Sequence, residues 1–218
     1  MVQSSAMAEP DDRPRSRELP DAQAETGAAA GFERRIPPGD DHERLVCRDC
    51  GFINYENPKI VVGAVVSRDD RILLCRRAIE PRRGLWTLPA GYLELGESAD
   101  EGARREAWEE ARAEIEIDQL LGVYAIRRIS QIQLIYRARL VSDAVAAGPE
   151  SEAVGLFAWE EIPWDAIAFP SVHWALRDHR SLRHETRFAP RGNPRPSDEV
   201  GSDEVGSDGA GSDGAGSN

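Results

Sequence analysis

Glu97, Arg105, Glu106, Glu109 and Glu110 fall within one stretch, Gly91–Ala113, which reads GYLELGESADEGARREAWEEARA. Ser98 followed three residues later by Glu101 has the form of a capping box. It predicts a helix that starts there and runs to about Arg112. At 3.6 residues per turn Glu106 and Glu110 stack on one face, with Glu109 one position to the side. Like charges at these spacings cost a helix roughly 0.2–0.5 kcal/mol per pair. A divalent cation removes that cost. Mg²⁺ takes carboxylate oxygens, keeps several waters and is commonly shared with substrate phosphates. The alternative is a solvated helix laced with salt bridges, and a Glu101–Arg105 pair at i,i+4 would serve it.

The flanks favour the metal. Gly91, five residues, Glu97, seven residues, Arg105-Glu106, two residues, Glu109-Glu110 is a spacing that resembles the signature of the Nudix hydrolase superfamily. The preceding GLWTLPAG, Gly84–Gly91, resembles the usual lead-in to it. One position departs: the family usually has a glycine where Arg112 stands, and glycine suits a helix end because it tolerates a left-handed backbone.

The resemblance implies an α/β fold, an α/β/α sandwich with a mixed sheet. It implies Glu106, Glu109 and Glu110 as metal ligands, with the Ala90 carbonyl as a further one. Arg105 would orient a glutamate of the set through a charge-assisted pair, and Glu97 would hold the loop or an outer water. Glu106 also acts on the water in some branches. The general base often lies elsewhere, and Glu150 or Glu152, in the loop before Leu156, is the expectation, with Glu152 the residue chosen. Related ribbon-bearing proteins place a glutamate where Ala153 stands. The cofactor implied is Mg²⁺ or Mn²⁺, and the reaction is hydrolysis of the diphosphate in a nucleoside diphosphate linked to another group. Such hydrolysis needs charge neutralised on both phosphates and a placed water.

YENPKIVVG, GLWTLPAGYLELGES, AAGPESEAVGLFA and EEIPWDAIAFPS resemble the branch of ADP-ribose and FAD diphosphatases. NADH pyrophosphatases are an alternative echoed only by Phe169-Pro170-Ser171, and a non-catalytic ADP-ribose-type binding domain is another. Tyr55, Trp86, Tyr92 and Tyr124 are the aromatics available to stack on an adenine; packing in the core competes for each. Members of this type are often dimers, so a homodimer is expected.

The elements that must position these residues follow from the apolar pattern. Val61–Val66 reads as a buried strand and Ile72–Cys75 as its partner across Arg68-Asp69-Asp70. Leu120–Ile129 and Ile132–Leu140 read as two more, Leu156–Trp159 as a short one, Pro163 as a helix start, and Ser171 to about His184 as a last helix. His173, His179 and His184 lack metal-ligand spacing on one helical face. The expected organisation is a disordered acidic region over 1–45, a remnant of a zinc ribbon over 46–58, the hydrolase domain over 59–187 and a low-complexity acidic tail over 188–218.

Cys47-Arg-Asp-Cys50-Gly51 is one CxxC knuckle, whereas a structural zinc normally takes four ligands. Relatives with the ribbon carry a first CxxC before a segment like FERRIPPGDDHERLVC; here GAAAG stands there, so zinc is not expected. A zinc site shared across a dimer is the alternative. Of the net charge of −12, residues 198–218 carry −6 and residues 1–45 carry −4, leaving −2 between them. No basic stripe suggests nucleic acid, no polybasic patch or long apolar run suggests a membrane, and a cytoplasmic location is expected.

Overall fold

The computed structural model describes residues 31–195; most of the acidic region and most of the tail expected from the sequence lie outside them. The chain divides after Glu56 into two compact units. The first is a three-stranded antiparallel sheet of β1 (Phe32–Arg35), β2 (Arg44–Cys47) and β3 (Ile53–Asn54), in that order. Strands therefore begin upstream of the expected boundary at residue 46, which corrects the assignment of 32–45 to a disordered region. Charge and proline content argue against a large core there. A two-stranded ladder needs little core when its turn is held by polar bonds, and Asp40 supplies them. Its carboxylate accepts from Arg44 Nε at 2.9 Å and from the N–H groups of Asp41 and His42 at 2.8 and 3.1 Å. The Arg44 bond and the backbone donors hold the Asp40 pKa well below the usual carboxylate range.

The second unit contains β4 (Lys59–Arg68), β5 (Arg71–Arg77), β6 (Trp86–Thr87), β7 (Ala90–Tyr92), α1 (Ala99–Ala111), β8 (Ile115–Ile126), β9 (Gln131–Leu140), β10 (Ser151–Phe157) and α2 (Pro170–Leu182). The sheet order is β10-β5-β4-β9-β8, with β6 on β5 and β7 on β4. β4 and β9 run parallel, with Val62 opposite Leu134, and the other pairs are antiparallel. The expected mixed α/β sheet is present.

The helices explain why β4 and β5 are apolar without alternation. Ala64, Val66, Leu73 and Cys75 pack with Ala107 and Ala111 of α1. Val65, Ile72 and Leu74 pack with Val172, Ala175 and Leu176 of α2. A strand buried on both faces reads as a continuous apolar run. Each such fully buried aliphatic side chain contributes about 1.5–3 kcal/mol. Among the described residues no helix is long and apolar enough to cross a membrane.

Two edges differ from expectation. β8 begins at Ile115, since Ile115 and Ile117 continue the ladder opposite Leu140 and Ala138. β10 begins at Ser151 inside the expected loop, because its N-terminal end pairs with Arg77 and Arg76 of β5.

Candidate active site

The strand β7 and the helix α1 build the site together. Ala90 and Gly91 pair with Gly63 and Val62 of β4, so the box begins as a sheet edge. The chain then turns at Gly96 (φ 89°) and enters α1 with the Ser98 N–H donating to the Glu101 carboxylate at 2.8 Å. Glu101 is therefore spent on the cap. The other expected pair, Glu101–Arg105, is replaced by Arg104 on Asp100 at 2.7 Å. Arg105 turns instead into the carboxylate cluster.

There it contacts three glutamates. Arg105 Nε and Nη2 donate to the two oxygens of Glu97 at 3.1 and 2.8 Å, a bidentate pair. Nη2 also donates to the Tyr92 carbonyl at 2.9 Å, tying α1 to β7. Nη1 donates to Glu106 at 2.7 Å and to Glu109 at 3.0 Å. The Arg105 bond and the Glu94 N–H lower the Glu97 pKa to about 2, so Glu97 is a fixed anion that anchors the loop.

Glu106 and Glu110 are buried, at 8% and 6% exposure, while Glu109 remains exposed. Burial raises the Glu106 pKa against the opposing Arg105 charge. Burial raises that of Glu110 to about 8; the Ala90 N–H, donated to it at 3.0 Å, opposes the shift and the Glu106 charge adds to it. Gly91 is required by this packing: a Cβ there would lie 2.3 Å from Glu106 Oε1. Gly102 leaves room in the same way for Glu97, whose Oε1 would be 2.8 Å from an added Cβ.

The C-terminal end of α1 is closed by a second loop. Arg112 takes the left-handed conformation at φ 50°, as a glycine would, and its guanidinium lies over Trp108. The Ala146 and Gly148 N–H groups donate to the carbonyls of Ala111 and Glu110 at 2.9 and 3.0 Å, satisfying helix-end acceptors. A Cβ at Gly148 would sit 1.7 Å from the Glu109 carbonyl, so only glycine permits the approach. This loop carries Glu150, whose charge raises the pKa of both Glu106 and Glu110.

Glu152, the base chosen from sequence, is not brought to the cluster. It pairs with Arg76 at 3.3 Å and Arg83 at 3.1 Å. The ladder is irregular between Ser151 and Ala153, which breaks the alternation that would otherwise give Glu150 and Glu152 the same side. Sequence reasoning also missed Arg77, whose charge lowers the pKa of Glu110. The Arg76-Arg77 dipeptide at the end of an apolar strand was the available signal.

The four aromatics are not brought together. Tyr124 is fully buried, and its hydroxyl donates to Asp178 at 2.7 Å, so it is a core residue and not a stacking surface. Trp86 meets Phe157 edge-on at 4.9 Å with Arg76 over it, a packing role. Tyr92 is 51% exposed on the box strand, beneath Lys59 Nζ. Tyr55 belongs to the first unit, where Arg44 lies over its ring.

The two candidate metal centres differ in fit. Two buried carboxylates and an exposed third on one helix offer the oxygen donors that a hard divalent ion takes, although they are less tightly gathered than Asp40, Asp41 and His42. The Cys47 thiol is lowered by the N–H groups of Cys50 and Asp49, as in a metal knuckle. Yet among the described residues the cysteines are Cys47, Cys50 and the buried Cys75 of the other unit. Among the described residues the one compact ligand-type cluster is Asp40, Asp41 and His42, without a thiol. The first unit by itself does not fit a tetrahedral zinc.

Comparison with known proteins agrees with the fold of the second unit, while the ribbon match over the first stands against the expectation of no zinc. The NUDIX domain family matches residues 57–175, and the Nudix N-terminal zinc-ribbon family matches residues 29–56. A NUDIX hydrolase of known structure from Nitrosomonas europaea is 43% identical with a TM-score of 0.70, covering 74% of this chain and 92% of that one. A MutT-like protein of Streptomyces ambofaciens is 37% identical over 102 residues, 47% of this chain and 64% of that protein. An ADP-ribose pyrophosphatase of Methanocaldococcus jannaschii is 28% identical over 113 residues, 50% of this chain and 67% of that protein. The chain thus spans about two thirds of the length of these two curated relatives. The match over most of the second unit, on a helix that carries the whole carboxylate set, makes this chain a member of the Nudix hydrolase family.

Proposed function

We propose that this protein hydrolyses the diphosphate linkage of a nucleoside diphosphate joined to a second group, with ADP-ribose or FAD as the substrate. The observation that carries the reading is the pair of buried carboxylates, Glu106 and Glu110, packed against a strand edge that must be glycine at Gly91. Burying two like charges is costly without a cation. The likeness to the ADP-ribose pyrophosphatase of Methanocaldococcus jannaschii supports ADP-ribose.

Glu106, Glu109 and Glu110, with the Ala90 carbonyl, would hold Mg²⁺ or Mn²⁺. The ion supplies charge neutralisation at the phosphates and a more acidic bound water. Arg105 keeps Glu106 and Glu109 oriented through Nη1 and is itself held by Glu97. Glu150, on the loop anchored to the end of α1, takes the proton from the attacking water; this replaces Glu152, which is committed to Arg76 and Arg83. Arg77 lies where its charge reaches the cluster and would meet a substrate phosphate.

Product analysis tests this directly. Purified protein with Mg²⁺ or Mn²⁺ is incubated with ADP-ribose, FAD, NADH, diadenosine polyphosphates and nucleoside triphosphates. AMP appearing with ribose 5-phosphate or with FMN identifies anhydride cleavage and the substrate. Absence of turnover on all of them, with ADP-ribose still raising the melting temperature, would replace hydrolysis with ligand binding.

A further inference from the structure

On the face of the sheet that carries α2, away from α1 and its carboxylates, lies a cleft of about 450 Å³. That is the size of a small-molecule site. Its floor is the end of the sheet, Ser67, Arg137 and Arg139, and its wall is the last turn of α2 and the chain beyond, from His179 to Thr186. None of Glu97, Arg105, Glu106, Glu109, Glu110 or Glu150 lines it.

The charges in the cleft are sorted unevenly. Arg137 is satisfied: it pairs with Asp118 and donates Nη1 to the carbonyls of Leu182 and Glu185 at 3.0 and 2.8 Å. Arg139 pairs with Glu116 at 3.0 Å on the surface. Arg180 and Arg183 have no carboxylate within ion-pair distance among the described residues, although Asp70 and Glu185 line the same cleft. They are held otherwise. Arg180 lies over the Trp159 ring at 5.2 Å, and Arg183 donates to the Arg180 carbonyl at 2.8 Å. Both arginines line the cleft at the end of α2, three residues apart, with donors left over for a ligand.

His179 offers an independent observation. It lines the cleft and is 8% exposed, and its Nδ1 is buried without a hydrogen-bond partner. Burial and then the charges of Arg137 and Arg180 depress its basicity to about 4. A neutral imidazole there neither repels nor neutralises an anion.

We infer that this cleft binds a phosphate-type oxyanion, free or as a phosphomonoester, through Arg180 and Arg183. Planar guanidinium groups match phosphate oxygens and form charge-assisted bonds to them. The site lies outside the catalytic cluster, so its occupancy does not depend on a divalent ion.

Calorimetric titration of the full chain in EDTA tests it, with inorganic phosphate and AMP as separate probes. The inference expects saturable binding that Arg180→Gln/Arg183→Gln weakens by about tenfold or more. Glu110→Gln should leave the same binding intact, and the double arginine variant should keep the parent's hydrolytic rate. AMP binding tighter than phosphate identifies a nucleotide ester as the ligand; equal binding identifies the free anion; either upholds the site. Binding that survives the arginine double substitution, or that disappears in Glu110→Gln, overturns it. Should the double variant misfold, NMR of the unaltered protein decides. Phosphate should move the ring signals of His179, assigned with His179→Asn, and unmoved signals would refute the site.

Discussion

The two units of the molecule carry two motifs that resemble metal centres, and each departs from its family pattern. In the second unit the departure is Arg112, standing where a glycine is usual. In the first it is the missing CxxC upstream of Phe32. The consequences differ in kind. Arg112 still adopts the left-handed turn at φ 50°, so the helix ends in place and every carboxylate stays on the cluster. Conformation is a graded cost that the rest of a fold can absorb. A coordination shell is not graded: Cys47 and Cys50 keep their knuckle hydrogen bonds but lack the other half of a tetrahedron. The ribbon unit instead rests on polar bonds such as those of Asp40 with Arg44.

The sharpest way to break this comparison is Glu110→Gln. Turnover should fall by a factor of about 10² or more, because a metal ligand is lost while volume is kept. The stability of the metal-free protein should move the other way. The folded Glu110 pKa lies at about 8, above the ordinary value, so the fold favours the protonated acid. That contribution is complete below about pH 4.3 and is lost as pH rises through about 8. Denaturant titrations in EDTA should therefore show the variant more stable than the parent at pH 9, by an amount on the order of a few kcal/mol, and equal to it at pH 4. A variant that is fully active, or that shows no pH-dependent gain, would remove Glu110 from the site.

Gly91→Ala is next in size. The added carbon meets the Glu106 carboxylate at 2.3 Å and would push it from Arg105. We expect a loss in kcat of about 10- to 100-fold, since small misplacements of reacting groups are costly, with destabilisation of only about 1 kcal/mol. A thermal melt beside a rate measurement separates the two effects.

Arg112→Gly should stabilise the second unit by about 1 kcal/mol, read as a raised Tm, because it relieves the left-handed backbone at a small loss of contact with Trp108. Smallest of all should be Cys47→Ser/Cys50→Ser. If the ribbon unit holds no zinc of its own, stability should stay within about 0.5 kcal/mol and purified protein should contain no stoichiometric zinc. Zinc at one per two chains, with dissociation on chelation, would establish the shared site instead.

Much of this protein was settled by its order of residues. The spacing from Gly91 to Glu110 determined the helix, its cap, its carboxylate face and the family, because all of these depend on local periodicity and on backbone freedom at named positions. The apolar runs of β4 and β5 announced strands buried on both faces for the same reason. What the sequence left open involves contacts between distant segments. Glu150 and Glu152 are two residues apart, and only the irregular pairing of β10 with β5 sends one toward the cluster and the other to Arg76 and Arg83. Tyr124 and Tyr92 look equally able to stack on a base, yet one lies between sheet and α2 on Asp178 and the other on an exposed edge. The cleft at the end of α2 joins Ser67, Arg137 and Arg180, which no short-range pattern connects. Burial and electrostatic field are properties of what packs around a group, and those neighbours come from far along the chain.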